Sequence, residues 1–217
     1  VIIENVVGGG STLANDRVAR SAPDGSTILI NHVALLAAPS LFTNLRYDTA
    51  SAFEPVGLVN NAPMVLIGRK SLPGATPREF VSWIKAQGDK ANFAHGGIGT
   101  NSHLCAVMMG NVLGFKPTIA AYRGSAPAIA DLLAGQIDLL WDQVTNALPQ
   151  IQAGTLHGIA ITSPERLEQL KDVPTTAELG MPEVSYSMWH GLYVAKGTPR
   201  ETAAALNSAL RKALSDP

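Results

Sequence analysis

Short apolar runs alternate with helical stretches along almost the whole chain, and glycine-rich polar turns mark the joints. Val1–Val6, Thr27–Asn31, Val56–Asn60 and Met64–Ile67 read as strands. So do Asn92–His95, Ile119–Tyr122, Ile137–Trp141, Gly158–Thr162 and Gly191–Ala195. Helical patterns lie between them. One carries Leu13, Ala14, Val18 and Ala19. A second starts at Thr76-Pro77-Arg78-Glu79, where Thr76 can cap, Pro77 suits the first turn and Glu79 completes a capping box. Thr198-Pro199-Arg200-Glu201 repeats that device before Leu206, Leu210 and Leu214. A strand-then-helix rhythm at this spacing specifies an α/β fold with mostly parallel strands. Such sheets bind ligands beyond the carboxyl ends of their strands, at helix N-termini. Ala62-Pro63 separates two of the strand runs, and a proline there points to a break or an edge.

Composition narrows the function. Only 15% of the 217 residues are charged and the formal net charge is −1, whereas soluble domains average roughly 25% charged residues. Nucleic-acid binders show a basic excess or stripe, and polybasic membrane-surface proteins do too; this chain shows neither. The hydrophobic fraction of 46% is ample for a core. No run approaches the roughly 18 apolar residues of a membrane span. Cys105 is the single cysteine, so neither an internal disulfide nor a cysteine-clustered zinc site is expected. The histidines (His32, His95, His103, His157, His190) form no H-x-x-x-H or H-E-x-x-H pair, and no metal or other cofactor is expected. There is no G-x-S-x-G elbow, so a hydrolase is not expected. Cys105, on an apolar helix face, reads as inert core.

Five strand-end constellations could hold a ligand. Gly8-Gly9-Gly10-Ser11-Thr12 lacks the lysine of a phosphate-binding P-loop and reads equally as a plain turn. Gly96-Gly97-Ile98-Gly99-Thr100-Asn101-Ser102-His103 is more specific. Its glycines allow close backbone approach, and Thr100, Asn101 and Ser102 offer donors at a helix start. That set would receive a carboxylate without lysine or arginine; alternatively, Asn101 or Ser102 caps its helix. Tyr122-Arg123-Gly124-Ser125 offers an arginine that either pairs with an anion or is solvated. Asp142, in Trp141-Asp142-Gln143, would accept from a ligand hydroxyl or amine, or cap the next turn. Asn31-His32 ends another strand.

In order along the chain stand VIIENVVGGG, ARSAPDGSTILI, PSLFTNLRYDTASAFEPVGLV, FAHGGIGTNSHL, YRGSAPAIADLLAGQIDLLWD, LPQIQAGTLHGIAITSPERL, DVPTTAELGMP, WHGLYVAKGTP and LNSALRKALSDP. With this series the chain resembles the periplasmic solute-binding proteins of the tripartite tricarboxylate transporters, the Bug family. The resemblance implies a two-lobed, periplasmic-binding-protein-like fold of type II. Each lobe is a mixed, mostly parallel sheet flanked by helices, and the lobes close on a ligand in the cleft between them like a flytrap. Lobe 1 would hold residues 1–66 and 194–217, lobe 2 residues 67–193, with crossovers at Asn61–Ile67 and Gly191–Ala195. Family members are longer at both ends, so a further first strand with its loop, later helices and a signal peptide are expected beyond this sequence. These residues alone are expected to fold poorly.

The resemblance further implies capture without catalysis. The ligand would be a small organic anion, a mono- or dicarboxylate, aromatic and amino acids included. The protein would be a periplasmic monomer that delivers it to membrane transporter subunits and binds no nucleic acid. Gly97, Gly99, Thr100, Asn101, Ser102 and His103 map to an anion loop in lobe 2. Tyr122, Arg123 and Asp142 map to the next strand ends, and His32 to a lobe-1 loop. The Gly8–Gly10 loop is expected beside the cleft. The alternative is a ligand-sensing effector domain of a LysR-like regulator, which an upstream helix-turn-helix would reveal. A third reading is an enzyme on the same scaffold.

Overall fold

A computed structural model describes residues 1–216. Pro217, which ends the expected lobe 1, lies outside the described residues. The chain forms two units, one comprising Val1–Asn61 and the chain from Trp189 on, the other Ala62–Met188. These boundaries fall a few residues before the expected ones at Leu66 and Tyr193.

In the first unit, α1 (Thr12–Ala19), β1 (Ile28–Asn31) and α2 (Val33–Leu41) are followed by the start of β2 (Phe53–Arg69). The end of β7 (Ser187–Ala195) and α7 (Arg200–Leu214) return to it. β1 pairs antiparallel with β7, Ile28 opposite Val194 and Asn31 opposite Gly191. Alternation on β1 buries Leu29 and Asn31 and exposes Ile28 and Ile30. Leu29 packs with Val18, Leu35, Tyr47 and Phe53. The Phe53 ring meets Tyr47 and Tyr193 edge-on, with centroids 5.7 and 6.4 Å away.

The second unit holds the rest of β2, then α3 (Pro77–Gln87), β3 (Asn92–His95), α4 (Asn101–Leu113), β4 (Thr118–Ala121), α5 (Ser125–Leu133), β5 (Leu139–Gln143), α6 (Val144–Gln152) and β6 (Leu156–Ile161). β3 runs parallel to β4 and β5, whereas β2 lies antiparallel between β5 and β6. Four strands therefore point one way and β2 opposes them. Alternate residues of the strands feed two cores. Met64, Leu66, Phe93, Leu139 and Trp141 join one with α3 and α4 residues. Val65, Ile67, Ala94, Leu140 and Ile161 join the other with α5 and α6 residues. A sheet covered on both faces requires such near-continuous apolar strands.

Several expectations change. Val1–Val6 forms no strand; Val1, Ile2 and Ile3 are fully exposed, without a neighbouring strand among the described residues. A β-branched run becomes a strand only when a sheet edge offers it a ladder. The two strands expected around Ala62-Pro63 are one, β2, because Pro63 lies just before the ladder to β5 and β6 begins and removes no bond from it. The capping box at Thr76 and Glu79 forms as expected. The one at Thr198 does not, because the Thr198 hydroxyl instead donates to Ala195 O at 2.7 Å and Pro199 occupies the cap position. Two helices the sequence pattern did not show, α2 and α6, each contain a proline, Pro39 and Pro149.

Candidate functional site

The carboxyl ends of the adjacent strands β5, β3 and β4 lie side by side because these strands are parallel neighbours. From β3 the chain enters the loop Gly96–Thr100 and then α4. Gly97 and Gly99 have φ of 144° and 78°, a region that favours glycine. Gly96 has a different constraint. A Cβ there would lie 3.2–3.4 Å from backbone atoms of Gly124 and Ser125, so the loop presses against the start of α5.

The loop is held by its own acceptors. Gly97 N–H donates to His95 Nδ1 at 2.9 Å and Gly99 N–H to His103 Nδ1 at 3.3 Å. Both rings are therefore neutral with the proton on Nε2. Gly96 N–H donates to Ser102 Oγ at 3.0 Å. Thr100 Oγ donates to Gly97 O at 2.6 Å and so receives the Ser102 hydroxyl at 3.0 Å. The two hydroxyl protons are thus engaged inside the loop. Asn101, buried, accepts the Tyr186 hydroxyl through Oδ1 at 2.5 Å. No side chain caps α4. The N–H groups of Asn101, Ser102 and His103 precede the first intrahelical bond, from Leu104 N to Thr100 O. Those donors and the helix dipole suit an anion.

Burial sets the local electrostatics. It lowers the pKa of His95 to about 4, aided by the nearby His103, whose ring centroid is 4.9 Å away. Burial lowers that of His103 as well. Asp142, at the end of β5, is 2% exposed, and burial raises its pKa against the bonds from Gln143, Ser125 and Asn146. Cys105 is wholly buried, and burial pushes its thiol pKa far up, as an inert core residue requires.

Gly97, Gly99, Thr100, Asn101, Ser102 and His103 are thus together at one helix start. Asp142 is linked to them through Ser125, whose backbone N would lie 3.4 Å from a Cβ on Gly96 and whose hydroxyl donates to Asp142 Oδ1 at 2.9 Å. Tyr122 stands at the end of β4, its N–H on His95 O and its hydroxyl donated to Asp131 at 2.6 Å. Arg123 beside it is exposed. His32 lies in the first unit as the N-cap of α2, where its Nδ1 accepts from Ala34 N at 3.2 Å. Burial and then the neighbouring His190 lower its pKa to about 4. The sequence pattern placed Ser125 in a strand-end constellation without giving it a role of its own, and it did not single out His95, Tyr186 or Asn146. Ser125, following Gly124 at a strand-to-helix joint, carried a usable signal; Tyr186, 85 residues from its partner, carried none.

Residues 1–217 match the family model described as tripartite tricarboxylate transporter family receptor. The chain belongs to that family. An Agrobacterium vitis relative, the UPF0065 protein in the TAR-I ttuE-ttuC' intergenic region, is 38% identical over the whole chain. The chain spans 63% of that relative's length. The solved structure of the periplasmic binding protein BugD is 40% identical with a TM-score of 0.94, covering 100% of this chain and 73% of BugD. MatC from Rhodopseudomonas palustris, solved with bound malate, is 37% identical with a TM-score of 0.92, covering 99% of this chain and 74% of MatC. Members of this receptor family bind solutes and are not enzymes. The fold is accordingly that of the periplasmic binding proteins. Among the described residues no helix is long and apolar enough to cross a membrane.

Proposed function

We propose that this receptor-family protein captures a small carboxylate in the periplasm, as a monomer, and hands it to the membrane subunits of a tripartite tricarboxylate-type transporter. One observation carries the reading. The start of α4 presents uncapped N–H groups beside a glycine loop that has already engaged its own acceptors and hydroxyl protons. Neutral donors of that kind bind an anion through the helix dipole and short hydrogen bonds, without a cationic side chain. Gly97, Gly99 and the residues from Thr100 to His103 form the carboxylate seat in this reading, with Tyr122, Arg123 and Asp142 beside it; His32, in the first unit, is a separate ligand-binding candidate. The malate in MatC, a relative of the same fold, is a ligand of this class. No step of the mechanism makes or breaks a covalent bond. The ligand selects and stabilises the conformation that binds it, and the transporter reads that conformation.

A thermal-shift and calorimetry panel of mono-, di- and tricarboxylates tests this. A true ligand at ~100 times its dissociation constant stabilises the protein by roughly 2.7 kcal/mol. Silence across the whole panel overturns the proposal.

A further inference from the structure

Two histidines of the first unit are neutral in opposite ways. His190, on β7, stands beside Asn60, on β2. Asn60 Oδ1 lies 3.2 Å from the His190 backbone N–H and 2.8 Å from its ring Nδ1, and accepts from both. An acceptor facing Nδ1 fixes the ring proton there and leaves a lone pair on Nε2. His32 is the reverse. Its Nδ1 accepts from Ala34 N–H at 3.2 Å, so its proton is on Nε2. The two rings meet edge-on, with centroids 5.6 Å apart. Neither Nε2 has a hydrogen-bond partner among the described residues, and both rings are partly exposed with Nε2 reaching the surface.

The pair thus shows an open donor next to an open acceptor. A carboxylate can use the donor, but the lone pair on His190 repels it. One proton on that lone pair turns the pair into two N–H donors for one carboxylate. On His32, His95 or His103 the proton would displace the backbone N–H that Nδ1 accepts, from Ala34, Gly97 or Gly99. On His190 it displaces nothing. Without an anion, burial disfavours the charged form of His190, and a charge there repels one on His32.

The elements around the pair supply no counter-charge among the described residues. β1 and α2 carry no charged side chain. On β7 the other titratable group is Tyr193, whose ring packs on Phe53. Glu54 and Arg69 of β2 pair with Lys196 and Asp138. On α1, Asp16 pairs with Arg20, and Arg17 with Glu4.

We propose that His32 and His190 form an anion-binding point in the first unit that takes up one proton from solvent, on His190 Nε2, with each carboxylate it binds. The proton cancels the charge of the carboxylate it accompanies, so acid favours capture. This inference rests on the carboxylate-capture reading and adds a proton to it.

Calorimetry of succinate, malate and adipate in Tris and in HEPES counts that proton, because the two buffers release it with different heats. About one proton should be taken up per ligand bound at pH 7, and Kd should rise by up to about tenfold per pH unit between 6.5 and 8. His190→Gln cannot hold the proton, so its uptake should fall to near zero and its pH dependence should flatten. Nitrogen NMR of the histidine rings needs no variant. At pH 7, His190 should pass from the Nδ1–H form to the doubly protonated one as the ligand saturates. Binding without uptake, a His190 ring that stays neutral in the bound protein, or uptake that survives in His190→Gln overturns the inference and leaves carboxylate capture standing. No binding of any of the three overturns it too, and the wider carboxylate panel then decides whether capture stands.

Discussion

The Tyr186 hydroxyl donates to Asn101 Oδ1 at 2.5 Å and so ties the segment before β7 to the first residue of α4. Asn101 is 4% exposed, so its amide depends on this partner. Tyr186→Phe removes one hydroxyl and strands that oxygen. Stability should fall by about 1–2 kcal/mol in urea denaturation, the usual range for an unpaired buried acceptor. Carboxylate affinity should weaken with it, because the amide helps to fix the helix start. A variant as stable as the parent would show that the bond contributes nothing net.

Gly96 is required for space. Its neighbours at 3.2–3.4 Å are backbone atoms of Gly124 and Ser125, which cannot swing aside as a long side chain can. Gly96→Ala should cost about 1–3 kcal/mol, the ordinary range for overpacking. It should also part the β3–α4 loop from the start of α5. Calorimetry should then show weaker carboxylate binding than the loss of stability alone would give. The control is Gly135→Ala, where a Cβ meets open space although φ is 76°; it should lose stability through backbone strain but keep its affinity.

The buried histidines predict a pH dependence. His95 and His32 each have a pKa lowered to about 4 from 6.5, in both cases mainly by burial. Between those values the unfolded chain binds more protons than the folded one, so stability falls as pH drops from 6.5 towards 4. Asp142, raised by burial, acts with the opposite sign above its ordinary value of 3.8 and offsets part of this loss. Melting temperature should therefore decline through this window in the parent. The decline should be shallower in His95→Asn, whose amide oxygen can still accept from Gly97. An unchanged slope would mean His95 titrates normally.

Cys105 faces the core from α4 itself, and burial pushes its thiol pKa up. The thiol should be unreactive towards iodoacetamide at pH 8 in the native protein and fully alkylated in guanidinium, as read by intact-mass spectrometry. Rapid native labelling would contradict the packing of α4 on Phe93 and Trp141.

Much of this was readable in the residues, and the exceptions share physical causes. The Thr76–Glu79 box was legible because capping is local, with every partner within three residues. Thr198 carried the same letters and took another partner, Ala195 O, which only the path of β7 brings close. Val1–Val6 has strand composition, but strand formation needs a neighbour that the letters cannot supply. Pro39 and Pro149 hid α2 and α6, since an interior proline argues against a helix on propensity alone. In the candidate site, the glycines and the polar run from Thr100 to Ser102 were visible. That the two hydroxyl protons turn inward was not, because His95, Gly97 and Ser102 must first be placed in three dimensions.

That inward turn has a consequence for ionic strength. Gly96–His103 contains no lysine or arginine, and its donors are backbone N–H groups, the Asn101 amide and the neutral His103 imidazole. Long-range attraction between charges is screened within about 8 Å at physiological salt, whereas short hydrogen bonds to neutral donors are not. Carboxylate affinity should therefore change little between 20 mM and 500 mM sodium chloride. A receptor built this way would work alike in dilute and saline surroundings, with its selectivity set by contact and not by field.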